Sequence, residues 1–257
     1  MLLIPILVLM YGFFNLLQAT SRMRDAKVVV LTGAGISAES GLRTFRDNDG
    51  LWENHRIEEV ATPQAWKRDP ELVWRFYQAR RRQMGEVGPN PAHLALSKLE
   101  AELEDYTLIT QNVDDLHERG GSKSVIHMHG RLETLRCEKS QQIEHRMADS
   151  DLDDGYVYCN CCSEQSRMRP DIVWFGETPM QMDEIYEAVE SCNVFIVVGS
   201  SGHVYPAAGM VHVANSIGAH TILVNYEMPL NGGDFDEVHL GKAGEILPDL
   251  VETWLAE

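Results

Sequence analysis

The chain has 257 residues, 44% of them hydrophobic and 24% charged. These are the proportions of an ordinary globular protein, and they exclude a mainly disordered or multi-pass membrane chain. A formal net charge of −17 removes the basic footprint of a nucleic-acid binder, and anionic membrane surfaces would repel such a chain. Five cysteines, with Cys159, Cys161 and Cys162 crowded together, read as reduced thiols or a metal site rather than a disulfide framework.

Residues 1–22 form an apolar leader. The run MLLIPILVLMYGFFNLL is interrupted only by Asn15 and carries Pro5 near its start; its length is close to that of a membrane span. Arg22, Arg24 and Lys27 follow the run, whereas a secretory signal begins with positive charge. That order keeps the remainder in the cytoplasm even if the leader inserts. The alternative is that translation starts at Met23. On either reading residues 24–257 are the working domain and cytoplasmic, with a membrane as partner only if the leader is real.

Lys27–Thr32 (KVVVLT) is a short β-branched run ending at Gly33-Ala34-Gly35, which predicts a strand and a glycine turn. Asp69-Pro70 and Asn90-Pro91 each pair a capping residue with proline at the first helical position. They open helices through ELVWRFYQARRRQ and AHLALSKLEAEL. Tyr106–Thr110, Val194–Val198 and Thr221–Val224 are further buried-strand candidates, alternating with helical patterns at 182–191 and 207–217. This alternation predicts an α/β fold, a Rossmann-like parallel sheet flanked by helices. The stretch from about 131 to 170 breaks the rhythm. It holds four of the five cysteines and the acidic loop DSDLDDG, and reads as a small inserted lobe.

In open parallel sheets, ligands bind beyond the carboxyl ends of the strands. Those ends here are Gly33-Ala34-Gly35, Gln111-Asn112, Gly199-Ser200-Ser201 and Asn225. Glycine lets backbone approach a pyrophosphate, so together the ends suggest a polar ligand across the crevice. GAGISA fits a relaxed dinucleotide fingerprint, although such a turn can also be structural. No second strand ending in an acidic residue follows about 20 positions later, and a plain hydride-transfer protein therefore fits poorly.

GAGISAESGLRTFR, TQNVDDLH, HMHG, VWFGE, GSSGHVYPAA and VN resemble, in order, the motifs of the sirtuins, the NAD-dependent protein-lysine deacylases. The resemblance spans about residues 24 to 255, and its nearest branch is the bacterial CobB-type, class III. It implies an NAD pocket made of Gly33, Ala34, Gly35 and Glu39, and of the loop residues Arg43, Thr44, Phe45, Arg46 and Trp52. Gln111, Asn112, Val113 and Asp114 follow, then Gly199, Ser200, Ser201, Asn225, Tyr226, Glu227 and Ala243.

His129 in HMHG takes the family's general-base position, with His127 the near competitor. An imidazole with pKa of about 6.5 suits that task at neutral pH. In the family the acyl oxygen of the substrate lysine attacks the nicotinamide ribose, nicotinamide leaves, and the histidine deprotonates a ribose hydroxyl. Val173, Phe175 and Gly176 resemble the strand that pairs with the substrate peptide, although a buried strand is compatible with the same residues. Tyr77 and Arg80 lie three apart and share a helix face. In class III such a pair clamps the carboxylate of a succinyl or malonyl group, a task an arginine fork suits. Against this, Arg80-Arg81-Arg82 could be a solvated basic face.

Sirtuins usually hold structural zinc with two Cys-x-x-Cys pairs. Here Cys159 and Cys162 keep the second pair, while Cys137 is followed by Ser140, a poor ligand. Cys161 or His145 could complete four. The expected activity is deacylation of acyl-lysine proteins, with NAD and one zinc ion. Mono-ADP-ribosyl transfer and a non-catalytic NAD-binding module are the alternatives; the presence of His129 and Asn112 argues against the module.

Overall fold

A computed structural model describes residues 23–42, 51–52, 55–146 and 155–256. The leader, the loop residues Arg43, Thr44, Phe45 and Arg46, and most of the acidic loop lie outside the described residues. The strands in chain order are β1 (Lys27–Thr32), β2 (Leu51–Trp52), β3 (His55–Arg56), β4 (Asp105–Thr110), β5 (Val125–His127) and β6 (Gly130–Cys137). They continue with β7 (Ile143–Arg146), β8 (Met168–Ile172), β9 (Val194–Val198), β10 (His220–Asn225) and β11 (Glu237–Leu240). The helices are α1 (Ala34–Ala38), α2 (Ile57–Val60), α3 (Pro63–Arg68), α4 (Pro70–Glu86), α5 (Pro91–Glu102), α6 (Leu116–Arg119), α7 (Met182–Val189), α8 (Met210–Ser216) and α9 (Ala243–Ala256).

Six strands form one parallel sheet in the order β11-β10-β9-β1-β4-β5. Both its faces are covered, as a parallel sheet requires. Val28 and Val30 of β1 face Leu96 and Leu99 of α5 and Leu247 and Val251 of α9. Val29 and Leu31 face the opposite way, into a core with Ile185 of α7 and Met210 of α8. The period-2 alternation of a strand thus feeds two cores at once. Strand order runs outward from β1 in one direction and from β9 in the other. The boundary between β1 and β9 is therefore the topological switch point.

The two long helices start as predicted. Asp69 accepts from the Leu72 N–H at 3.0 Å ahead of Pro70, and Asn90 accepts from the Ala92 N–H at 2.9 Å ahead of Pro91. A third core joins Val73, Trp74, Phe76 and Tyr77 of α4 to a separate antiparallel sheet of order β7-β6-β8. That sheet occupies the stretch read as an inserted lobe. Its β6, GRLETLRC, alternates buried and half-buried positions, which explains why no apolar run announced it. Edge strands β5 and β11, only 3 and 4 residues long, were likewise not anticipated. The segment Val173–Gly176, expected as a strand, begins where β8 stops and folds into a turn, with the Glu177 N–H donating to the Trp174 carbonyl at 2.9 Å. Among the described residues, no helix is long and apolar enough to cross a membrane.

Candidate active site

The switch point is built from glycine against glycine. The Gly33 N–H donates to the Val198 carbonyl, and the Gly35 N–H to the Gly199 carbonyl, both at 2.9 Å. A Cβ on Gly33 or Gly35 would stand 2.8 or 2.7 Å from Gly199 backbone atoms. The sequence argument gave these glycines to phosphate approach; the structure adds that the loops at the ends of β1 and β9 could not otherwise meet.

Around this contact several of the expected cofactor residues converge; Gly33, Asn112, Asp114, Ser200, Asn225 and Ala243 are buried, whereas Ala34, Glu39 and Glu227 are exposed. Asn112 donates from Nδ2 to the Gly33 carbonyl (3.2 Å) and to Ser37 Oγ (3.1 Å). Ser37 also bonds Asp114, yet burial outweighs this and the Leu116 N–H in holding the Asp114 carboxyl above its usual range. Gln111 donates from Nε2 to Ser200 Oγ at 3.0 Å, and Asn225 donates to the carbonyls of Ser200 (3.2 Å) and Glu227 (2.8 Å). Glu39 accepts from the Gly244 N–H at 2.9 Å, which brings it to the start of α9 beside Ala243. Ser201 Oγ accepts from the His203 N–H at 3.2 Å, and the Val113 carbonyl accepts from the Leu132 N–H at 2.8 Å. Tyr226 is exposed at the rim. The backbone of Trp52 pairs with that of His55 in a separate two-stranded sheet.

Sequence reasoning missed the layer beneath. The Thr32 hydroxyl donates to the Thr110 hydroxyl at 2.8 Å, and Thr110 Oγ1 accepts from the Asn112 N–H at 3.0 Å. His117 Nε2 closes on Thr32 Oγ1 at 2.9 Å, and burial pulls the His117 ring down to a pKa of about 3. A neutral imidazole thus props the two threonines that fix Asn112. Ser37 stood inside GAGISA, and Thr110 and His117 at the two ends of TQNVDDLH, and they could have been found there; Thr32 carries no sequence signal beyond a polar residue closing a buried strand.

The two candidate bases are separated by their partners. His127 is buried with both ring nitrogens engaged, Nδ1 on the Asn112 carbonyl at 3.2 Å and Nε2 on Glu118 Oε1 at 2.8 Å. Both of its ring nitrogens are thus occupied by groups of the fold. Burial raises the Glu118 carboxyl, but the His127 bond and the nearby Arg131 outweigh it and hold that group below the usual range. Among the described residues, His129 is held through Nδ1, on the Gln111 carbonyl at 3.0 Å. That bond makes Nδ1 the protonated nitrogen and leaves Nε2 with its lone pair. Burial also pushes the His129 ring below the ordinary histidine value, against the opposing pull of the Gln111 carbonyl.

Of the expected substrate residues, Val173 adjoins this base. The Val173 N–H donates to the His129 carbonyl at 2.9 Å and the Phe175 N–H to the Ala61 carbonyl at 3.0 Å. Those two N–H groups therefore serve the fold, and the half-exposed Phe175 ring faces outward. Gly176 takes φ +91 in the same turn. On α4, Tyr77 and Arg80 are 3% and 8% exposed. Arg81 is also buried, so the arginine run is no solvated basic face. Arg80 Nη1 donates to Gln83 Oε1 at 3.4 Å.

At the far end of β6 the four Sγ atoms of Cys137, Cys159, Cys161 and Cys162 lie within 4.8 Å of one another. Cys161 thus takes the place that Ser140 leaves. A tetrahedral zinc site with Zn–S bonds of about 2.3 Å spaces its sulfurs about 3.8 Å apart, and Cys162 Sγ lies 3.7 Å from both Cys137 and Cys161. The N–H groups of Ser140 and Ser166 donate to Cys137 Sγ (3.4 Å) and Cys159 Sγ (3.2 Å), the support a thiolate set needs. The donor set fits zinc.

Residues 33–206, more than half of the chain, match the Sir2 family. The chain belongs to the Sir2 family. Among relatives, the NAD-dependent protein deacylase of Yersinia pseudotuberculosis serotype I (strain IP32953) is 54% identical over 236 residues, covering 91% of this chain and 84% of that protein. A solved Sir2 homologue in complex with NAD superposes with TM-score 0.82 at 39% identity, covering 92% and 93% of the two chains. Sir2 bound to acetylated peptide superposes with TM-score 0.76 at 29% identity, covering 93% and 96%. The polar ends of the parallel strands and the Gly33–Gly35–Gly199 contact have the chemistry to receive a dinucleotide.

Proposed function

We propose that this Sir2 protein is an NAD-dependent protein-lysine deacylase that removes acetyl groups and acidic acyl groups of the succinyl and malonyl type. The observation that carries the reading is the His129 ring, fixed through Nδ1 on the carbonyl of Gln111, the residue that leads into Asn112 and Asp114 at the end of β4, so that Nε2 is the nitrogen left to take a proton. Bound NAD supplies an electrophilic ribose carbon, nicotinamide as leaving group, and the hydroxyl that accepts the acyl group.

The protein's own part is positional and protonic. Asn112, fixed at its N–H by Thr110 and at its amide by Gly33 and Ser37, and Asp114 orient ribose and carboxamide. Ser200, Asn225 and the main chain of the glycine turn hold the remainder of the dinucleotide. His129 Nε2 takes the proton of the acceptor hydroxyl, and burial supports its neutral form at physiological pH. Tyr77 and Arg80 meet the distal carboxylate of an acidic acyl group, and the turn from Val173 to Gly176 receives the substrate main chain. Zinc on the four cysteines holds the β6–β8 sheet and takes no part in the chemistry. All five thiols are free, which supports a reducing compartment and a cytoplasmic location.

Incubation with NAD and a succinyl-lysine peptide, followed by mass spectrometry, tests the reading. Free lysine peptide, nicotinamide and O-succinyl-ADP-ribose are expected in equal amounts. Nicotinamide release without deacylation would overturn it.

A further inference from the structure

Trp174 belongs to the turn from Val173 to Gly176 and faces α4, with both its backbone and its ring held. Its backbone N–H donates to Glu177 Oε2 at 2.9 Å. Its ring lies under the Arg169 guanidinium, whose Cζ is 3.6 Å from the ring centroid. Arg169 is in turn fixed by two bonds to Glu177, at 2.7 and 2.8 Å, and by one to the Ile172 carbonyl at 2.7 Å. The indole is 2% exposed and has one polar atom. That atom, Nε1, donates to the Tyr77 hydroxyl oxygen at 3.0 Å.

An indole nitrogen can only donate, whereas a phenol can both donate and accept. Because Trp174 fills the accepting role of Tyr77, the Tyr77 O–H is directed away from the indole and acts as a donor. Burial pushes the Tyr77 phenol up, so it keeps that hydrogen through the physiological range. A buried tyrosine whose hydroxyl were free to rotate could serve a donor or an acceptor equally well. The Trp174 bond removes that choice.

We propose that Trp174 is a specificity-positioning residue, which sets the Tyr77 hydroxyl as a donor beside Arg80 and so favours acyl groups that end in an acceptor-only carboxylate. The inference rests on the reading of Tyr77 and Arg80 as the acyl-carboxylate site. An acetyl group has no distal oxygen to receive this bond, so the effect falls on succinyl and malonyl substrates. The Arg169–Glu177 pair acts further back, by holding the indole plane.

Steady-state kinetics with acetyl- and succinyl-lysine peptides at saturating NAD test this in wild type, Trp174→Phe, Tyr77→Phe and the double variant. Trp174→Phe keeps an aromatic ring under Arg169 and deletes the N–H. The succinyl-to-acetyl ratio of kcat/KM is expected to fall about five- to tenfold, the scale of one lost hydrogen bond. The loss should appear in succinyl KM, with succinyl kcat little changed. Adding Trp174→Phe to Tyr77→Phe should cause no further fall in the ratio, since the group that Trp174 orients is gone. An unchanged ratio in Trp174→Phe, or a full additional fall in the double variant, overturns the inference. If Trp174→Phe does not fold, 3-benzothienylalanine at position 174 keeps the ring outline and lacks the N–H, and the same two outcomes decide. Loss of the underlying reading looks different: wild type would not remove succinyl groups, or Arg80→Met would leave the ratio intact.

Discussion

Gly35 and Gly199 touch backbone to backbone, the Gly35 N–H on the Gly199 carbonyl at 2.9 Å, with no room for a side chain on either. Gly199 also sits at φ +63, and a Cβ there would lie 2.4 Å from the Ile36 nitrogen. Gly199→Ala therefore combines left-handed strain with a backbone clash, for a cost of about 2–4 kcal/mol. Differential scanning calorimetry should show Tm lowered by about 5–12 °C, and isothermal titration should show weaker NAD binding. A variant that melts with wild type would contradict the close-packing account of the switch point.

His129→Gln should reduce deacylation about 10²- to 10⁴-fold, the range for loss of a general base. The pH profile adds an independent check. The active form is the unprotonated ring, and burial lowers the pKa, so that form persists to lower pH than for an exposed histidine. The acid limb of kcat/KM assigned to His129 should therefore be centred below about 6.5. A limb centred above that value would mean that another group carries the proton.

Arg80→Met should depress desuccinylation far more than deacetylation. A charge-assisted hydrogen bond contributes about 1.5–3 kcal/mol, which corresponds to a roughly 10- to 150-fold drop in succinyl kcat/KM. Parallel assays on the two peptides read this directly. Equal losses on both would remove the carboxylate clamp.

Zinc content separates Cys161 from Ser140. Cys161→Ser should lower bound zinc below one equivalent and reduce Tm, whereas Ser140→Ala should keep the metal. Atomic absorption on the purified variants distinguishes them. Full zinc occupancy in Cys161→Ser would show that the fourth ligand lies elsewhere.

How much of this could be read from residues alone depended on the kind of signal. The central strands were legible because runs such as KVVVLT must be buried on both faces, and α4 and α5 because Asp69-Pro70 and Asn90-Pro91 punctuate them. The strands of the lobe were not: β6 alternates, β7 is short and polar, and the other partner β8 lies some thirty residues further on, outside any local window. The same holds inside the site. His129 was found through its motif, but its distinction from His127 depends on which carbonyl and which carboxylate each ring meets. Nor does any sequence pattern announce that Trp174 donates to Tyr77, 97 positions away.

One strand has the proposed base at one end and the cysteine cluster at the other. His129 immediately precedes β6, and Cys137 closes it eight residues on. The cysteine cluster is therefore the distant anchor of a lever whose near end carries the proton acceptor. Thiol oxidants or chelators acting at the cysteines should lower deacylation without reaching the crevice.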